Sequence, residues 1–134
     1  MRITQILAPG RFGGLERVVI QLATGLVSRG HQVTAILVGT EDREPGSLAH
    51  ALEGAGVHVY LLHTPHRAYG KQRREVGGML RSINPDVAHT HGYHADVLLA
   101  SVARRLGIPV ATTVHGFTGG GLKNRAFEWL QRRS

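Results

Sequence analysis

The sequence predicts an α/β domain with a Rossmann-like, doubly wound parallel sheet and helices on both faces. Short runs of apolar and β-branched residues alternate along the chain with longer segments in which apolar residues recur every three or four positions. Strands that alternate with helices form βαβ units with right-handed crossovers, and such units build a parallel sheet. Gly30 and Gly107 each follow a helical segment, where a left-handed cap is expected.

Length and composition indicate a single domain over residues 1–134. The hydrophobic content of 42% and charged content of 19% are typical of a folded globular chain. The absence of cysteine excludes disulfides and favours a reducing compartment, and no apolar stretch approaches 18 residues, the length of a membrane span. The formal charge of +7 favours anionic partners, which include phosphorylated substrates, anionic membranes and nucleic acid.

The first half of the chain predicts three strands and two helices. A strand over 2–8 ends before a glycine-rich turn, and the first helix follows with its apolar face at Leu15, Val18, Val19, Leu22, Ala23 and Leu26. The near-continuous apolar run at 32–38 predicts a strand that is covered on both faces. Ser47 is expected to cap a short second helix. A third strand is expected over 57–62.

The second half predicts a similar alternation. A helix over 71–83 is weakened by Gly77 and Gly78 and stopped by Asn84-Pro85. The fourth strand is expected over 86–90, and the fifth over 108–114. The helix between them has its apolar face at Ala95, Leu98, Leu99, Val102, Ala103 and Leu106. A last helix, over 122–133, is expected to pack on the sheet, although interfacial membrane helices have a similar composition.

Histidine-bearing loops are expected after the fourth and fifth strands, at 89–94 and 114–118. The carboxyl ends of parallel strands lie at one edge of the sheet, so the two loops should line one crevice. His91 and His115 stand at strand ends and are expected to donate hydrogen bonds to a polar ligand, whereas His89 is expected to be packed inside. A metal site is not expected, because His94 should point elsewhere and no carboxylate is placed in the sequence so that it would obviously complete a site.

Gly13 and Gly14 lie between the first strand and the first helix. They predict an anion site, because glycine lets a ligand approach the backbone and a helix N-terminus offers free N–H groups. The alternative is a turn that needs a positive φ. The spacing does not match the G-x-G-x-x-G fingerprint, which disfavours a nicotinamide cofactor.

Arg67, Lys71, Arg73 and Arg74 form a basic cluster with two interpretations. It is either a solvated helix start or a site for a phosphate or for anionic lipid headgroups. Nucleic acid is disfavoured as a partner, because the aromatic content is 5% and no known nucleic-acid-binding motif is present.

Together these motifs resemble the N-terminal domain of GT-B glycosyltransferases. The similarity is to retaining family 4, with its glycogen-synthase-like and phosphatidylinositol-mannosyltransferase-like enzymes, and it covers essentially all 134 residues. The motifs that carry it are GGLER at 13–17, GHQVT at 30–34, DVAHTHG at 86–92 and IPVATTVHG at 108–116.

The resemblance implies roles for several residues. Gly13 and Gly14 would approach the donor diphosphate, and His115 would act as the catalytic residue that contacts the transferred sugar. His91 and Tyr93 would lie on the acceptor side. The basic cluster would contact an acceptor phosphate or the membrane. Transfer would retain the anomeric configuration without a metal or another cofactor, since the nucleotide-sugar is a co-substrate.

The resemblance also implies a missing part. The family's paired glutamates and base-binding residues belong to a second, donor-binding domain, which is expected to lie outside these residues. The chain alone should therefore have little or no hexosyltransferase activity and should need that domain, or a second copy, as partner. The expected acceptor is a glycan or lipid, and the expected location is the cytoplasm, peripheral on the inner face of the membrane. The alternative is a non-catalytic Rossmann-like module that binds an anionic ligand or a membrane surface.

Overall fold

A computed structural model of the chain describes residues 1–9, 13–40, 46–65 and 67–113. It confirms the α/β fold class. The strands are β1 (Arg2–Leu7), β2 (Gln32–Thr40), β3 (His58–Thr64), β4 (Val87–His91) and β5 (Val110–Thr113). The helices are α1 (Gly14–Ser28), α2 (Gly46–Gly54), α3 (Tyr69–Ile83), α4 (Gly92–His94) and α5 (Ala100–Arg105), with a π-helical turn at Ala95–Leu99 between the last two.

The described strands form a parallel sheet in the order β3-β2-β1-β4-β5. β1 lies in the middle, where Leu7 pairs in register with Leu37 on one side and His91 on the other. The chain moves outward from β1 to β3 and then crosses back to β4, so the strand order reverses between β1 and β4. Such a switch point leaves a crevice at the carboxyl edge, which is where open α/β sheets bind ligands.

The sheet is covered on both faces, because neighbouring β1 side chains point in opposite directions. Ile6 and Leu7 are both completely buried. Ile6 belongs to a core with residues of α3, the π turn and α5, which include Val76, Leu80, Leu99 and Ala103. Leu7 belongs to a second core with residues of α1 and α2, which include Val19, Ala23, Leu48 and Leu52. The doubly wound arrangement predicted from the sequence is therefore confirmed.

Two glycines end helices as predicted. Gly30 has a φ of 81° and Gly107 has a φ of 73°, in the left-handed region. After α1, the N–H of Gly30 donates to the carbonyl of Val27 at 2.9 Å, and the N–H of His31 donates to that of Leu26 at 3.1 Å. Equivalent bonds follow α5. This pair of bonds is the Schellman motif, which satisfies carbonyl groups at the helix end.

Gly77 and Gly78 do not interrupt α3. Gly77 is buried, and a Cβ atom there would lie 3.3 Å from Cγ1 of Val102 in α5. Its missing side chain therefore lets α3 and α5 approach closely. Gly78 is exposed, and a Cβ atom there would meet nothing within 4 Å. The two glycines thus differ in their structural role, although both weaken the helical pattern in the sequence.

Three local expectations are wrong. Residues 89–94 do not form a loop, because β4 continues through His91 and α4 begins directly at Gly92. Ser47 lies inside α2, which begins at Gly46, instead of capping it. Val18 is 39% exposed and therefore not on the buried face of α1, where Glu16 is buried instead. The last helix lies outside the described residues, and among those described no helix is long and apolar enough to cross a membrane.

Candidate functional site at the switch point

The candidate site lies where the turn after β1 meets the turn after β4. Gly92 has a φ of 80°, and a Cβ atom there would lie 3.2 Å from Cδ1 of Leu15 in the first turn of α1. The two turns are therefore in contact across the point where the strand order reverses. We call this region the switch-point site and define it by Gly13, Gly14, His91, Gly92 and Tyr93.

The two glycines at the start of α1 are not explained by backbone strain. Neither has a positive φ, and that of Gly13 is −152°, which is extended backbone. A positive φ therefore does not explain glycine at either of these two positions. The Glu16 carboxylate accepts a hydrogen bond from the Gly13 N–H at 2.9 Å. A Cβ atom on Gly14 would meet none of the described residues within 4 Å, so among them open space borders the helix N-terminus.

The two histidines of β4 differ from expectation in their burial, because His91 is the more buried of the two. His91 is 2% exposed, and its Nε2–H donates to the Gln5 side-chain oxygen of β1. His89 is half-buried, and its Nε2 lies 2.7 Å from Oγ1 of Thr113 in β5. Both rings are on the same face of the sheet, with centroids 4.2 Å apart. α4 begins directly after His91, where a loop was expected.

A buried hydrogen-bonded chain lies beside the site, and the sequence analysis missed it. The Gln72 amide donates to Oγ1 of Thr64 at 2.8 Å, and Gln72 and Thr64 are both buried. The amide oxygen of Gln72 must then accept the bond of 2.7 Å from Nε2–H of His94. We call this the Thr64–Gln72–His94 chain. Gln72 stands four residues before Val76 on the buried face of α3, and this periodicity was the available signal.

The Thr64–Gln72–His94 chain of hydrogen bonds fixes which nitrogen of the His94 ring carries the proton. With its proton on Nε2, the neutral ring has Nδ1 as a hydrogen-bond acceptor. Burial lowers the pKa of His94 below its ordinary value of 6.5, which favours this neutral form. Tyr69 is 43% exposed, and its ring lies 5.8 Å from that of His94. A polar acceptor beside an exposed aromatic ring suits a ligand that has both hydroxyl groups and apolar surface.

The structure does not bring the four residues of the basic cluster into one site. Arg67 lies in the turn before α3, with a left-handed φ of 61°. Lys71 is exposed near the start of α3. Arg73 and Arg74 instead line a groove between α3 and α5. Two further arginines line the same groove, Arg81 in the last turn of α3 and Arg105 in the last turn of α5.

The remaining predicted residues are placed as follows. Tyr93 is half-buried in α4, within the switch-point site. His115 lies outside the described residues. In the part of the chain that the structure describes, no three His, Asp or Glu side chains are grouped so that they could hold a metal ion.

Comparison with protein families matches residues 13–134 to the family described as glycosyl transferase 4-like domain. Comparison with curated protein sequences finds no significant match. The family match includes both turns of the switch-point site and extends over most of the chain.

Solved structures share the fold at low sequence identity. A glycosyltransferase from Rickettsia africae superposes with a TM-score of 0.71 and 21% identity over 94% of this chain and 32% of its own. HepE of Anabaena, solved with UDP and glucose, gives a TM-score of 0.70 and 19% identity over 99% of this chain and 36% of its own. The chain thus spans about a third of each of these proteins.

The fold also occurs outside glycosyltransferases. The C-terminal domain of a hydrogenase from Pyrococcus furiosus superposes with a TM-score of 0.68 and 19% identity, over 84% of this chain and 90% of that one. At such identities the likeness to solved structures establishes the fold alone, since one fold can host many activities.

Proposed function

Since the chain belongs to the glycosyl transferase 4-like family, we propose that it is the acceptor-binding half of a glycosyltransferase. The reaction would move a sugar from a nucleotide-sugar to a carbohydrate or lipid acceptor. The observation that carries this proposal is the family match over residues 13–134, which coincides with a carboxyl-edge crevice at the switch point.

The open space at Gly14 supports a donor diphosphate at the N-terminus of α1. The first N–H groups of a helix have no partners within it, and the helix dipole favours a negative charge there. The Gly13 N–H is bonded to Glu16, so the N–H groups that follow it would bind the phosphate. The absence of a Cβ at Gly14 would let the phosphate reach them.

The acceptor would lie along the turn after β4. His91 is bonded to Gln5 and buried, so its proposed role is to hold this turn in place rather than to touch the acceptor. Tyr93 of the same turn, and the neutral His94 ring beside it, would then contact acceptor hydroxyl groups. The basic residues Arg67, Lys71, Arg73 and Arg74 would serve an acceptor phosphate or an anionic membrane surface at the inner face of the membrane.

Catalysis would depend on a partner. His115 would contact the transferred sugar, and electrostatic stabilisation of the leaving diphosphate would supply most of the rate enhancement. The nucleotide would be bound by a donor-binding domain or a second chain across the crevice. The described half has the Gly14 terminus for the diphosphate and the β4 turn for the acceptor, so alone it would turn over slowly or not at all.

The test is reconstitution with a donor-binding domain of this family, either mixed with the chain or joined to it. Release of nucleoside diphosphate from UDP-, GDP- and ADP-sugars would be measured with a panel of glycan and lipid acceptors. We expect transfer by the reconstituted protein and little by either part alone. His115→Ala should reduce the rate by about 100-fold or more, the usual cost of one transition-state contact.

His50→Ala is the matched control, because His50 is exposed on α2 and is not among the residues that define the switch-point site. It should leave the rate unchanged. A reconstituted protein that binds the nucleotide-sugar but transfers to no acceptor, with acceptor binding indifferent to His115→Ala, would contradict the proposal. That result would favour a non-catalytic module, for which the arginine-lined groove between α3 and α5 is the supporting observation.

A further inference from the structure

We infer that the groove between α3 and α5 is a second binding site, which takes a phosphate group and is separate from the switch-point site. We call it the arginine groove. It has a volume of about 270 Å³. Among the described residues, the sides of the groove are formed by four arginines, Arg73, Arg74, Arg81 and Arg105. Its floor is formed by Gly77 and Val102, which are small or apolar.

Gly77 shapes the floor of the groove. The position of a Cβ on this residue lies 3.3 Å from Val102 Cγ1 and 4.0 Å from Nη1 of Arg81. The missing side chain therefore lets α5 approach α3 closely at Val102, which brings Arg81 of α3 and Arg105 of α5 to the same groove. The groove thus depends on a glycine at a position where the helix itself would be more stable with alanine.

The charges in the groove are not balanced by acidic side chains. Among the described residues, the ion pair to these arginines is that of Arg74 with Glu75, at 3.7 Å between exposed groups. The C-termini of α3 and α5 each add about half a negative charge. Four positive charges, reduced by Glu75 and by these two helix ends, leave an excess of about two.

Helix dipoles explain part of this arrangement but not all of it. Arg81 and Arg105 lie in the last turns of their helices, where a cation is favoured. Arg73 lies in the second turn of α3, where the dipole gives a cation no advantage. Its presence beside the other two points to a ligand and not to helix stability alone.

The chemistry of the groove fits a phosphate group. The planar guanidinium donates two parallel hydrogen bonds to phosphate oxygens, and several arginines can share one group. A dianionic phosphate matches the excess of about two positive charges. The volume is several times the roughly 30 Å³ of one water molecule, so it has room for the phosphate and part of the molecule that carries it.

The arginine groove differs from the cluster seen in the sequence. It includes Arg73 and Arg74 but excludes Arg67 and Lys71, and it adds Arg81 and Arg105 from seven or more residues further along the chain. The two groupings therefore make opposite predictions for variants. Because no sugar transfer is needed for binding, the inference can succeed or fail independently of the proposed function.

The experiment measures binding of inorganic pyrophosphate to the full chain by calorimetry at low ionic strength. We expect the double variant Arg81→Gln, Arg105→Gln to weaken binding at least tenfold, since one charge-assisted hydrogen bond accounts for about a factor of ten. The matched double variant Arg29→Gln, Arg104→Gln removes the same charge from exposed positions that do not line the groove, and it should change the affinity by less than about threefold, through long-range attraction alone. The reverse order of these effects would overturn the inference.

Gly77→Ala tests the shape of the groove without changing its charge. The added methyl group should press on Val102 Cγ1 at 3.3 Å, shift α5 with its Arg105 relative to α3, and so weaken pyrophosphate binding, whereas Gly78→Ala on the exposed side should not. Thermal unfolding of both variants shows whether the fold is kept. If Gly77→Ala does not fold, the arginine pair decides the question, and equal binding by folded Gly77→Ala and wild type would contradict the inferred geometry.

Vesicles distinguish a lipid headgroup from a free phosphate. Sedimentation with phosphatidylcholine vesicles, with and without phosphatidic acid, would be compared for wild type and for Arg81→Gln, Arg105→Gln. Loss of both pyrophosphate and vesicle binding would support a headgroup as the source. Loss of pyrophosphate binding, with no vesicle binding by wild type, would support a soluble phosphate compound. Wild-type protein that binds neither probe would overturn the inference.

Discussion

A methyl group on Gly14 would meet no atom of the described residues within 4 Å, so their packing does not require glycine at this position. Gly14→Ala should therefore change the free energy of unfolding by less than about 0.5 kcal/mol, as at other tolerant surface sites. If the donor diphosphate binds there, the same methyl group should raise the KM for the nucleotide-sugar about tenfold, the equivalent of one charge-assisted hydrogen bond. Denaturant unfolding and steady-state kinetics of the reconstituted protein measure the two quantities.

Gly46→Ala is the matched control for this prediction. Gly46 is also the first residue of a helix, and a Cβ atom there would also meet nothing within 4 Å. Gly46 is not among the residues that define the switch-point site, and its substitution should leave the KM unchanged. If the two variants had the same KM, the assignment of a phosphate to the start of α1 would fail.

The lowered pKa of His94 predicts that the stability of the protein depends on pH. Burial lowers its pKa in the folded protein below 6.5, its ordinary value, so the unfolded chain binds the proton more readily. The contribution of the neutral His94 ring to the stability of the fold is fully present above the ordinary pKa. It is lost as the pH falls from that value through the pKa of His94 in the folded protein. His94→Gln should reduce this slope, as measured by denaturant unfolding at a series of pH values below 7.

Thr64→Val provides the comparison for His94. It removes a hydrogen-bond partner of Gln72 but no titrating group. It should therefore lower stability by about 1–3 kcal/mol, the cost of leaving a buried amide unpaired, while keeping the pH slope of wild type. A slope that disappears in Thr64→Val but remains in His94→Gln would show that His94 is not the group responsible.

At the scale of elements, α3 offers a comparison between adjacent glycines. Gly78→Ala should stabilise the protein by about 0.5–1 kcal/mol, because alanine is the better helix former and the position is open. Gly77→Ala should not stabilise the protein in this way, because its methyl group would press on Val102 of α5 at 3.3 Å. Equal stabilisation in both variants, measured by chemical denaturation, would show that the α3–α5 contact can relax freely.

The elements also show where sequence patterns stop being informative. The apolar spacing at Ala95, Leu98 and Leu99 predicted an ordinary helix, but the structure has a π turn from Ala95 to Leu99. Asp96 in that turn is completely buried. A π turn adds one residue per turn, which a spacing of three or four residues over so short a segment does not reveal.

At the scale of the whole molecule, Gly92 of α4 and Leu15 of α1 approach each other where the two halves of the sheet meet, at the switch point between β1 and β4. Gly92→Ala should destabilise the protein through its left-handed φ and also through the approach to Leu15 at 3.2 Å. Gly107→Ala has the same strain at a φ of 73° but meets nothing within 4 Å. Each should lose about 1–2 kcal/mol from backbone strain, and Gly92→Ala should lose more. Equal losses on denaturant unfolding would mean that this contact adds nothing.

Much of the fold could be predicted because its strands are buried on both faces and its helices on one. The continuous apolar run of β2 and the capping glycine after α1 are local signals, and the structure confirms both. The convergence of Gly13 and His91 at one edge also follows from the parallel sheet. The fate of individual side chains was harder to predict, since it depends on contacts across the sheet.

His91 and the basic cluster illustrate this limit. His91 is buried and donates a hydrogen bond to Gln5, 86 residues earlier, and a helix follows it without a loop. Arg73 lies near Lys71 in sequence, but residues four apart share a helix face and residues two apart do not. The groove therefore joins Arg73 to Arg81 of the same helix and to Arg105 of another.

The central position of β1 has a consequence for biosynthesis. β1 leaves the ribosome first and can pair with β2 on one side, but its other neighbour, β4, begins 80 residues after β1 ends, at Val87. At about 5–20 residues per second, the 27 residues from the end of β3 to the end of β4 take roughly one to five seconds. During that time the free side of β1 is an open edge, which other chains can pair with. A chaperone that shields a nascent strand would act there, at the line along which the ligand crevice later forms.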